Sequence, residues 1–259
     1  MVKVGAGEIM DERTKPLLCF FPGGPGLSGS CLGDLSAFTA FQSIVMNPSQ
    51  TAPLDFASVV TGMESQLAQT QRPLILVGHS FGGLYATELL IRGKLNIIAW
   101  VGLATSVTAE GFSGVRDRYL AQESVAMATA RETFYANPFD EEFRDWLVAL
   151  APVYFAPETR DQGISLLRQD KLSAKAYGEI SESLSHHSIL TTGAQMLKGF
   201  TGKKLSLAGS NDLFFPPELI QEEAKLVGAH SLTVEGSHHF LTVDRPAEVA
   251  RLLNQAFIS

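Results

Sequence analysis

The stretch Leu74-Ile-Leu-Val-Gly-His-Ser-Phe-Gly-Gly-Leu84 decides the fold of this 259-residue chain. Leu74 to Val77 are four consecutive apolar residues, a run too short for a helix and suited to a buried strand. Gly78-His79-Ser80-Phe81-Gly82 follows, matching G-x-S-x-G, and Leu84 to Ile91 then shows helical spacing. Strand, tight turn and helix in that order is the context that gives the pattern a mechanism. The sharp turn lifts a serine hydroxyl off the strand end. It also leaves no room for side chains beside it, which accounts for Gly78 and Gly82. The following helix points its N-terminal amides at the same spot, so negative charge is favoured there. The bland alternative is an ordinary strand-to-helix turn that carries a serine, and the bare pattern alone is weak. The flanking strand and helix favour Ser80 as a nucleophile.

Composition narrows the class. The chain is 45% hydrophobic and 18% charged, which suits a globular core and not a disordered segment. Its net charge is −7, with no run of five like charges, so a basic footprint for nucleic acid is absent. Two cysteines, Cys19 and Cys31, form no disulfide framework and fit a reducing compartment. Met1 to Glu8 lacks the apolar core of a signal peptide, and no apolar run reaches the roughly 18 residues that span a bilayer. The expectation is a cytoplasmic protein, monomer or homodimer, that acts on a small molecule without membrane or nucleic-acid partners.

Outward from the central stretch, strand and helix signals alternate. The first 14 residues read as a trimmed sheet edge. Gly5-Ala-Gly7 lacks the third glycine of a dinucleotide fingerprint and its strand-to-helix setting, so it is discarded. Pro16 to Phe21 reads as a buried strand that runs into Pro22-Gly-Gly-Pro-Gly26, a backbone able to approach a ligand and present its amides. A helix is predicted around 33–41, a strand around 42–46 and a helix over 54–70. Asn96 to Leu103 is a further buried strand. This alternation implies a mostly parallel sheet covered by helices on both faces. From 104 to 200 the buried-strand runs stop, and aromatics set among helical patterns replace them. Alternation resumes with a strand at 204–208, a helix at 217–227 opened by Pro217, a strand at 230–235 and a closing helix at 246–257. No internal repeat or low-complexity tract is present.

The Gly78–Gly82 turn resembles the nucleophile elbow of the α/β-hydrolase family, and the resemblance extends over nearly the whole chain. In that family the triad runs Ser, then Asp or Glu, then His. Gly209-Ser-Asn-Asp212 with Pro216-Pro-Glu218 looks like its acid loop, and Gly236-Ser-His-His-Phe240 with Pro246 looks like its histidine loop. The resemblance implies Ser80, Asp212 and His239 as the catalytic residues. His239 lies seven residues before Pro246 and just before an aromatic, as the family's base does; His238 is the alternative base. Asp212 read alone is a common turn residue. The oxyanion would be held by the backbone amides of Phe81 and Gly24, since Pro22 to Gly26 resembles the His-Gly-Gly-Pro-Gly loop of prolyl-iminopeptidase-like hydrolases. Pro22 replaces that histidine, which keeps the amide but alters the loop's support.

The implied architecture is an α/β-hydrolase fold, with core residues 1–103 and 201–259 and a helical cap inserted at 104–200. The implied chemistry is an acyl-enzyme formed from a small ester, thioester or amide. A prolyl-iminopeptidase-like or C–C bond hydrolase, or a non-catalytic receptor that keeps the pocket, is the alternative. The peptidase reading needs cap carboxylates for the substrate amine, with Asp140, Glu141, Glu142 and Asp145 as candidates that read equally as a charged helix surface. The sequence Gly-His-Ser-Phe-Gly-Gly also departs from the Gly-Gly-Ser-Trp-Gly usual in those peptidases. His79 is read as a packing residue, and His186-His187 as a solvated helix face with no metal-ligand spacing. No metal or organic cofactor is implied.

Overall fold

A computed structural model describes residues 15–50 and 52–258. Among the described residues, six parallel strands form one sheet: β1 (Leu17–Phe21), β2 (Gln42–Val45), β3 (Leu74–His79), β4 (Ile97–Leu103), β5 (Lys203–Gly209) and β6 (His230–Val234), in the order β2-β1-β3-β4-β5-β6. The helices are α1 (Phe56–Ala68), α2 (Gly82–Arg92), α3 (Ala109–Leu120), α4 (Val125–Ala136), α5 (Asp140–Ala149), α6 (Ala151–Tyr154), α7 (Arg160–Gln169), α8 (Ala174–Leu184), α9 (Ile189–Gly199), α10 (Pro217–Val227), α11 (Leu241–Asp244) and α12 (Pro246–Phe257). The expectation for the first 14 residues lies outside the described residues.

Continuous apolar runs make the inner strands because parallel strands bury both faces. Along β1, Leu17, Cys19 and Phe21 join one core while Leu18 and Phe20 join the other. One core packs α1 and α2 on the sheet through Phe56, Val59, Leu84 and Tyr85; the opposite one packs α12 through Val249 and Leu253. Cys19 and Cys31 are both free and buried, in opposite cores. Burial pushes the Cys19 thiol up to about 12, so it stays protonated at neutral pH.

From β1 the chain steps outward to β2, then returns to the other side of β1 as β3. The strand order reverses there, and such a switch point opens a crevice at the carboxyl ends of the strands. The Pro22–Gly26 loop leaves β1 and Ser80 leaves β3 at this opening.

The predicted helix at 33–41 is corrected to two short 3-10 turns, Gly29–Leu32 and Leu35–Phe38. The Ser28 hydroxyl and the Asp34 carboxylate each accept the amide two residues on, and Gly33 at φ 76° breaks any continuation. Between β4 and β5 run seven helices, α3 to α9, with no strand among the described residues. The last of these, α9, packs on α2 and α10 beside the sheet.

Candidate active site

Ser80 has φ 51°, a left-handed conformation that an L-residue holds only when its surroundings force it. The forcing contacts are specific. The Ser80 amide donates to the Leu103 carbonyl (2.9 Å), and the Thr105 hydroxyl donates to the Ser80 carbonyl (2.5 Å). The two glycines that bracket Ser80 have no room for a side chain. A Cβ on Gly82 would lie 2.1 Å from the Phe21 carbonyl oxygen, and one on Gly78 would lie 2.5 Å from Gly83 Cα. Ser80 is thereby pinned where β3 becomes α2, at the edge of a pocket of about 710 Å³.

The same pocket is lined by His239, whose Nδ1 lies 3.1 Å from Asp212 Oδ2. Asp212 is 3% exposed, and its other oxygen accepts the amides of Phe214 (2.8 Å) and Phe215 (3.1 Å). It therefore serves both as the turn residue of its loop and as the partner of His239. The His239 ring is stacked on Tyr154 and Phe215, with Phe214 at 4.9 Å. With Nδ1 occupied by Asp212, Nε2 is the nitrogen left for the pocket. No hydrogen bond joins Ser80 Oγ to this ring, and such contacts commonly close only when substrate is bound. His238 lines a different, shallow crevice with Gln122 and Asn211, and its Nδ1 lies 4.0 Å from Asp244.

Gly24 and Phe81 also line the pocket. Gly24 adopts φ 40°, while its carbonyl accepts the Leu27 amide (2.7 Å) to form a tight turn. Among the described residues, no acceptor takes the amide of Gly24 or of Phe81. Gly23 holds this loop against the elbow, since a Cβ there would meet Ser80 Cβ at 2.7 Å.

Three supporting residues carried no signal in the sequence. Asp170 sits in the polar run Arg168-Gln-Asp-Lys171, which reads as a solvated surface. It is 2% exposed and accepts from the amides of Ser28 and Cys31 and the hydroxyls of Ser28 and Ser30, tying down the segment after Gly24. Asp244 accepts the amides of His238 (2.7 Å) and Ala156 (3.0 Å), which fixes the histidine loop. His79 does pack, but it also lines the pocket. Its Nε2–H donates to the His239 carbonyl (3.0 Å), and its ring lies 4.8 Å from the His239 ring. Burial, then the His239 charge, pushes the His79 imidazole down to about 3, so it is neutral at pH 7.

Asp170→Ala is an expected destabiliser. It leaves the buried Ser28 amide without an acceptor and the Cys31 amide with only a 3.4 Å contact to the Ser28 carbonyl, at roughly 1–3 kcal/mol each. The urea midpoint should fall by the equivalent of about 3 kcal/mol, while Lys171→Ala beside it changes little.

One expectation is corrected. His186 and His187 occupy a turn between α8 and α9, not a helix face. His187 is half-buried there because its Nδ1 accepts the first amide of α9 and its ring packs on Phe56. Of the four acids on α5, none lines the pocket; Asp140 instead accepts the Ala174 amide (2.8 Å). No group of three or more metal-ligating side chains occurs among the described residues. No described helix is long and apolar enough to cross a membrane.

A switch-point crevice, a strained serine at a strand-to-helix elbow and a buried Asp–His pair define an α/β-hydrolase fold. The chain belongs to the alpha/beta hydrolase family, whose model matches residues 20–252. It is 22% identical to the proline iminopeptidase PfmaB of Pestalotiopsis fici, over 93% of this chain and 91% of that one. Among solved structures it is similar to the esterase EaEST of Exiguobacterium antarcticum (TM-score 0.69, 15% identity, 95% and 93% of the two chains). It is also similar to MenH of S. aureus (TM-score 0.68, 18% identity, 95% and 94%). These likenesses carry the fold.

Proposed function

We propose that this hydrolase works through an acyl-enzyme on a small ester, thioester or amide. Ser80 Oγ attacks the carbonyl carbon as His239 Nε2 takes its proton. Asp212 holds the Nδ1–H and stabilises the imidazolium. The amides of Gly24 and Phe81 receive the charge that develops on the carbonyl oxygen. The imidazolium then protonates the leaving group, and water repeats the sequence against the acyl-enzyme. The α3–α8 helices act as a cap over the pocket, with α9 assigned to the core.

The observation that carries this reading is one pocket lined by a serine at φ 51°, a histidine 3.1 Å from a buried carboxylate, and two amides with no acceptor. A non-catalytic receptor would need none of these held so closely. The peptidase alternative is favoured by the PfmaB likeness, but it requires a carboxylate to hold the substrate amine. Among the described residues, no Asp or Glu lines the pocket.

Turnover separates the readings. An aryl ester such as p-nitrophenyl butyrate should give a burst of nitrophenol equal to the enzyme concentration, the mark of an accumulating acyl-enzyme. Proline p-nitroanilide should not be cleaved. Rapid cleavage of the prolyl anilide with no ester burst would favour the peptidase.

A further inference from the structure

The pocket is apolar and aromatic at its floor and cationic at its mouth. Phe143 and Trp146 are buried in its lining and the half-buried Tyr154 packs on the His239 ring, whereas Leu120, Tyr135 and Arg116 are exposed. Arg116 sits on α3, and its neighbours at helical spacing, Phe112, Val115, Tyr119 and Leu120, all line the pocket with it. The arginine thus interrupts an apolar stripe that faces the site, a position where a charge has no packing role.

Among the described residues, two arginines and no acid line the pocket, in a chain of net charge −7. Arg131 is already neutralised. It donates to both oxygens of Glu123 (2.7 and 3.0 Å), and the Tyr119 hydroxyl donates to the same carboxylate. Arg118, two residues on from Arg116, spends its guanidinium on the carbonyls of Phe214 (2.8 Å) and Gly111 (2.6 Å). Arg116 forms no hydrogen bond or ion pair among the described residues.

We infer that Arg116 selects substrates that carry an anionic group beyond an apolar body, so that the body fills the aromatic floor and the anion pairs with the guanidinium at the mouth. This rests on the pocket being the substrate site proposed above. A carboxylate or a phosphate would each satisfy a guanidinium through paired oxygens. An ammonium-bearing substrate would meet a like charge there.

Ligand binding tests this without turnover, so its failure is separate from failure of the acyl-enzyme proposal. Of the two tryptophans, Trp100 is buried under the sheet against Thr87, while Trp146 faces the pocket and reports on ligands through its fluorescence. Phenylbutyrate, phenylbutyl phosphate and the neutral phenylbutyramide are titrated into wild type, Arg116→Gln and Lys198→Gln. Lys198 is exposed on α9, away from the pocket, and controls for net charge. At low salt, wild type and Lys198→Gln should bind an anion about five-fold tighter than the amide, the order an exposed ion pair supplies, and Arg116→Gln should bring the ratio near one. The carboxylate and phosphate arms show which anion is preferred. Equal affinities in wild type, a ratio kept in Arg116→Gln, or no quenching by any of the three ligands would overturn the inference.

Discussion

His239→Ala is expected to lower kcat/KM on an aryl ester by about 10⁶-fold, whereas His238→Ala stays within a few-fold of wild type. Both side chains follow β6, and one residue of register separates them. The His239 ring is placed by Asp212, His79 and four aromatic rings, with its free nitrogen left for the pocket. The His238 ring turns to the far side, and only its backbone amide anchors the loop, through Asp244. Alanine keeps that amide. Steady-state kinetics on the two variants, each checked by circular dichroism for folding, reads this directly. Comparable losses in both would mean that the loop rearranges in turnover and that the Asp212 contact does not mark the base.

Asp212→Asn should lower kcat about 10⁴-fold without unfolding the protein. The asparagine carbonyl can still accept the amides of Phe214 and Phe215, so the turn survives. Its NH₂ group, however, cannot accept from His239 Nδ1. The imidazole then places its proton on Nε2, where it can no longer take one from Ser80, and no negative charge supports the imidazolium. The thermal midpoint should move little, because hydrogen bonds at both asparagine atoms remain available. A kcat loss of less than ten-fold would remove Asp212 from the mechanism and leave it as a turn residue.

Local chemistry made the site's main residues legible. The elbow is encoded in one contiguous stretch, Leu74 to Arg92, since a buried strand, two indispensable glycines and a helix follow one another. Asp212 and His239 follow strands whose apolar runs are equally plain. Long-range contacts were not legible. Asp170 touches Ser28 across 142 positions of sequence, so its polar neighbours in the chain suggested only a surface. His79 was read from the turn alone, and nothing local says that its ring reaches the His239 carbonyl 160 positions later. The α5 acids stayed open between two readings for a related reason. Charge on a helix names the residues able to bind an amine, but which face meets the pocket is decided by packing, and Phe143 and Trp146 take that face. Arg116 was likewise invisible until α3 was seen to turn its apolar stripe inward.

The central claim is that Ser80 is the nucleophile. It is tested most directly by labelling the wild-type protein and Ser80→Ala with a fluorophosphonate and locating the adduct by peptide mass spectrometry. The account predicts one adduct per chain, on the peptide carrying Ser80, and none on folded Ser80→Ala. An adduct on another residue, or unlabelled wild type that still hydrolyses esters, would contradict it.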